Sequence, residues 1–123
     1  MMSTPAEERL VTLIAESPRG PKREGLFALW LVVRAAEGLL PPAPVSVKNH
    51  RRRLQALETR LGSLALPAPL KRALAAARQH LETATPNAAA LVLSQLTAPA
   101  RDVLGAEAAD AVTVAARTAR LHL

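Results

Sequence analysis

Leu26-Phe27-Ala28-Leu29-Trp30-Leu31-Val32-Val33 is the most apolar stretch of this chain, and its reading decides the architecture. A membrane-spanning helix needs about 20 apolar residues, and this run extends only past Arg34 and Glu37, so it is too short and too charged to span. It lies in a chain rich in Ala and Leu, strong helix formers, with almost no Ile and no Tyr. That bias predicts an all-α fold. A helix apolar on nearly every side is a buried one, so residues 23–40 are expected at the centre of a compact bundle of five to six helices. Phe27 and Trp30, the only aromatic residues, are expected to fill the core.

Outward from this run, ten prolines punctuate the sequence. Proline is tolerated in the first helical turn and breaks a helix interior, so the clusters mark starts and stops. The predicted helices run about 5–16, 23–40, 46–64, 69–84, 86–97 and 100–121. Thr4 and Glu7 fit a capping box, while Ser46 and Thr85 offer hydroxyls to the orphan amides of the helices they precede. Gly105 is expected to kink or interrupt the last helix.

The third predicted helix has the cleanest periodicity. Val47, His50, Leu54, Leu57, Leu61 and Leu64 follow one another at intervals of 3, 4, 3, 4 and 3. Such a seam needs an apolar partner, either another helix of the bundle or a second copy in a homo-oligomer through Leu54, Leu57 and Leu61. The Ala-rich segment 106–123 poses the same choice between packing inside the bundle and docking a second copy. A faint echo links Leu66-x-Ala68-Pro69 with Leu96-x-Ala98-Pro99 and suggests two related helical hairpins, or coincidence in a Leu/Ala/Pro-rich chain.

The 123 residues suit one domain, 1–123, with half the residues apolar. The absence of cysteine excludes disulfides and thiol chemistry. The opening MMSTPAEERL lacks the basic-then-apolar order of a signal peptide, and a soluble, cytoplasmic protein is expected.

Charge is concentrated in one place. Between residues 48 and 78 stand Lys48, Arg51, Arg52, Arg53, Arg60, Lys71, Arg72 and Arg78 against the single acid Glu58, and this segment accounts for the net charge of +6. If helices three and four fold antiparallel, residues whose numbers sum to about 131 face each other, and the cations form a ridge along the hairpin 46–84. Arginine forks bind oxyanions bidentately, so the eight residues are the expected site for an anionic partner. The competing reading is a solvated polar face.

Two features bear on the partner. With both aromatics assigned to the core, stacking on single-stranded bases has no platform, and phosphate contacts to duplex or structured nucleic acid fit better. Helix-turn-helix spacing, zinc-finger ligands and RNP motifs are absent. The antiparallel register also places His50 near His80, but without a convincing third ligand, so no metal site and no cofactor are expected. Arg34 and Glu37, three apart, are expected to pair. No phosphate-binding loop, nucleophile elbow or metalloprotease helix occurs, and no catalytic residue is assigned. The resulting expectation is a non-catalytic interaction or scaffold protein, binding an acidic protein surface or another anion through the basic hairpin. The alternative is a nucleic-acid-binding protein or a small basic subunit of a ribonucleoprotein complex.

Overall fold

The computed structural model describes residues 4–123; Met1–Ser3, which open the stretch read for a leader, lie outside the described residues. Six helices follow in order: α1 (Pro5–Glu16), α2 (Pro21–Glu37), α3 (Val47–Ser63), α4 (Ala68–His80), α5 (Pro86–Leu104) and α6 (Ala106–Arg120). The fold is all-α, with no strand among the described residues. The predicted caps are made. Thr4 and Glu7 form a capping box. The Ser46 hydroxyl accepts from the Asn49 amide and Thr85 from the Ala88 amide, each at 3.2 Å.

Two boundaries differ from the sequence expectation. α4 ends at His80, four residues early, in a turn beginning at Leu81. Pro99 does not separate two helices but lies inside α5. A proline there forfeits one ladder hydrogen bond, and tertiary packing overrides it, because Leu96, Ala100 and Leu104 on either side are all buried. The break falls instead at Gly105, with φ 101° and ψ 174°, a conformation that only glycine adopts readily. Its amide returns to the carbonyls of Ala100 and Arg101, closing α5.

Pro69 by contrast stands in the first turn of α4, whereas Pro99 is mid-helix. The thirty-residue echo therefore does not mark two equivalent hairpins; the two segments share only the spacing of their buried leucines.

α2 touches each of the other five helices, as a central helix must. Leu26, Leu29, Val32 and Val33 are sealed in a core cluster to which all six helices contribute. α5 and α6 lie closely together, and every alanine of α6 after Ala106 is buried against the rest of the chain. On α3, Leu54, Leu57 and Leu61 are buried in the same core. The leucine seam is thus spent within the chain, which removes it as a surface for homo-oligomers. No helix among the described residues is long and apolar enough to cross a membrane.

α2 is not buried all round, however. Phe27, Trp30, Leu31, Arg34, Glu37 and Gly38 recur at helical spacing and are all half-buried. This stripe is the one side of the central helix that meets solvent.

Candidate functional site

The eight hairpin cations do not form one continuous ridge. The leucine seam turns toward the core, so residues on its two flanks face different neighbours. Glu58 lies on the flank toward α4, where Arg78 donates to it at 3.0 Å and to Glu82 at 2.8 Å. Arg78 is thereby neutralised. Arg53 and Arg60 lie on the flank toward α2: Arg53 Nη1 donates to the Arg34 carbonyl at 3.2 Å, and the Arg60 guanidinium stands 5.2 Å from the Phe27 ring centre. Lys48, Arg51, Arg52, Lys71 and Arg72 are exposed and make no ion pair among the described residues. Lys71 and Arg72 open α4 and so lie at the opposite end of the antiparallel pair from Lys48–Arg53.

The α2–α3 side holds what the sequence reading missed. Phe27 and Trp30 are not sealed in the core; they stand half-buried on the open stripe of α2, Trp30 with one side packed against the core, their ring centres 5.8 Å apart. Each carries a guanidinium, Arg60 over Phe27 and Arg34 over Trp30, the latter at 5.4 Å. The core needs small and aliphatic side chains where α2 crosses five neighbours, which leaves the bulky rings to the rim. The signal was present: Phe27, Trp30, Arg34 and Glu37 fall on one helical face, and two ionisable residues on that face mark it as the one nearer solvent. Next to the rings, Arg34, Arg52 and Arg53 converge on a shallow depression of about 170 Å³ floored by Leu31 and Ala56, with no carboxylate in its lining.

Beyond Arg34 and Arg53 the surface opens into a larger groove of about 690 Å³, bounded by the start of α1, the end of α2 and the loop leading to α3. Arg53 reaches it by crossing the end of α2 over Gly38, where a Cβ would stand 2.5 Å from Nη1. A side chain at this position would make the flexible end of Arg53 shift. Burial, then the neighbouring Arg34, pull Arg53 below the ordinary arginine value.

The expected Arg34–Glu37 ion pair is not formed among the described residues. Arg34 turns to Trp30, and Glu37 turns to α1, where its Oε1 lies 2.7 Å from the Thr4 hydroxyl. The same hydroxyl lies 3.0 Å from Glu7 Oε2 and accepts from the Glu7 amide at 3.2 Å. A hydroxyl has one proton to give, and two carboxylate oxygens face it. The arrangement closes when Glu37 is itself protonated, donating to Thr4 while Thr4 donates to Glu7. Burial pushes the Glu37 carboxyl up to about 7, with the Glu7 charge adding to the rise and the Thr4 hydrogen bond opposing it.

His50 does not meet His80. It is 2 % exposed, and its Nε2 donates to the Leu81 carbonyl at 2.7 Å, holding the end of α4 against α3; His80 is exposed. The register near 131 is right, but it sets His50 against position 81. No group of three or more His, Asp or Glu side chains suited to a metal occurs among the described residues. Against family models, curated proteins and solved structures, the chain finds no match.

Proposed function

We propose that this chain is a non-catalytic binding protein that docks a polyanion on the cationic side of α3, and that the polyanion is nucleic acid. The observation carrying the proposal is the convergence of Arg34, Arg52 and Arg53 on a carboxylate-free depression beside the arginine-covered rings of Phe27 and Trp30. Guanidinium forks suit phosphate oxygens, and rings with stacked arginines suit unpaired bases. An acidic protein surface would use the cations but gain little from the rings. Exposed Lys48, Arg51, Lys71 and Arg72 extend the field along the hairpin, and Arg78, bound to two carboxylates, falls outside it. The setting proposed for this encounter is the cytoplasm.

Fluorescence anisotropy with labelled single-stranded RNA and duplex DNA across a salt series tests it. Five phosphate contacts give a log–log salt slope of about −3.5 on a single strand and about −4.5 on a duplex. Single-stranded RNA is expected to bind more tightly near physiological salt. The variant Arg51→Glu/Arg52→Glu/Arg72→Glu should lose binding with its melting curve unchanged. Arg53 is left out because its hydrogen bond to α2 is structural. Binding that vanishes by moderate salt with no preference would assign the cations to solvation and end the proposal.

A further inference from the structure

The groove beside Arg34 and Arg53 has an apolar wall and two carboxyl groups that the polyanion reading does not use. Its volume, about 690 Å³, lies in the range of small-molecule sites. Leu40, Pro41, Pro42 and Val45 make one wall apolar, and Trp30 contributes to the lining. Arg34 and Arg53 provide its positive side. Arg34 is close enough to Arg53 to help pull it below the ordinary arginine value, yet neither has a carboxylate within ion-pair distance among the described residues.

That lack is notable because Glu7 and Glu37 line the same groove. Both face Thr4, and burial, with the Glu7 charge beside it, pushes the Glu37 carboxyl up to about 7. Of the charged groups lining the groove, Glu7 from α1, Arg34 and Glu37 from α2 and Arg53 from α3, the two cations then outweigh the one remaining anion. A positive, partly desolvated end and an apolar wall together describe a ligand with an oxyanion head and an apolar body.

We propose that this groove binds a small organic oxyanion, its carboxylate or phosphate head held by Arg34 and Arg53 and its apolar body against Trp30 and the Pro41–Pro42 loop. It shares Arg34, Arg53 and Trp30 with the nucleic-acid reading, but the two are tested apart, since Arg51, Lys71 and Arg72 take no part in the groove. The charges lining the site sum to zero when Glu37 ionises, so its affinity for the ligand falls as pH rises through about 7.

Trp30 is the only tryptophan, so its emission reports occupancy of the groove. We would titrate the full chain at pH 6 with octanoate and with butyl phosphate, following Trp30 emission. A saturable shift is expected below about 10 mM for at least one of them, and the tighter of the two identifies the head group. Arg34→Gln should weaken binding about tenfold with the fold intact by circular dichroism. Gly38→Ala, whose methyl displaces the flexible end of Arg53 without removing its charge, should weaken binding less than Arg34→Gln does. Octanoate stays ionised between pH 6 and 8, so its affinity should fall severalfold over that range, and Glu37→Gln should abolish the fall. Arg51→Glu/Arg72→Glu should leave binding as in the wild type. No saturable shift with either probe, or wild-type affinity in both Arg34→Gln and Gly38→Ala, would overturn the site.

Discussion

The α5–α6 pair and the α3–α4 hairpin are both two-helix units, and they carry opposite duties. α6 buries seven of its 15 residues, six of them alanine, and α5 buries eight of 19. α3 buries four of 17, and α4 three of 13. One pair spends its surface on packing, with small side chains that let backbones approach. The other needs only a narrow leucine seam and leaves most of its surface free for charge. A small protein can carry a concentrated positive field because its stability is anchored elsewhere.

The largest expected effect tests that anchor. Leu93, fully buried in α5, should cost about 2–5 kcal/mol when changed to alanine, by denaturant unfolding. Reversing the charge of Arg51, Arg52 and Arg72 should cost well under 1 kcal/mol by the same measure. Equal losses would erase the distinction between the two pairs.

Gly105 joins α5 to α6 at a positive φ, with open space where an alanine methyl would stand, so Gly105→Ala isolates backbone strain from steric clash. A loss of about 1–3 kcal/mol is expected. A neutral result would mean the α5–α6 junction relaxes without cost.

Glu37 sets the balance on α2, between the two pairs. Its folded value of about 7 lies above the ordinary 4.5, so the folded state holds this proton more tightly than the unfolded chain does. The associated stability is fully present below about pH 4.5 and is lost as pH rises through about 7. Glu37→Gln should therefore match the wild type at pH 4 and exceed it by about 1–2 kcal/mol at pH 8, after allowance for partial exposure. Parallel stability curves for the two proteins would place the titration elsewhere.

The smallest effect belongs to the hairpin's own ion pairs. Arg78 is 25 % exposed, while Glu58 and Glu82 are 65 % and 58 % exposed. Arg78→Gln should cost about 0.2–1 kcal/mol and leave RNA affinity unchanged. A marked loss of affinity would return Arg78 to the binding surface.

Helix identity, most helix starts, the central place of α2 and the antiparallel register were legible in the sequence, because each rests on local chemistry. Proline at a first turn, a hydroxyl before a helix and an apolar repeat of 3 and 4 act within a few residues of themselves. Pro99 shows where this stops: a local rule predicted a break, and the buried residues on either side of it outweighed the rule. The candidate site was half legible. Its cations were visible as composition, but their division among flanks depended on which neighbour each flank met.

By itself, the sequence determined an all-helical chain with a buried middle and its excess positive charge in one hairpin. Only the tertiary structure decided that arginines cover Phe27 and Trp30, that Arg78 is neutralised while Arg34 and Arg53 are not, and that Glu37 faces Thr4 rather than Arg34. The reason is physical. Periodicity tells which side of a helix is apolar, but pairing and desolvation depend on distances across helices remote in sequence, such as the 33 positions between Thr4 and Glu37.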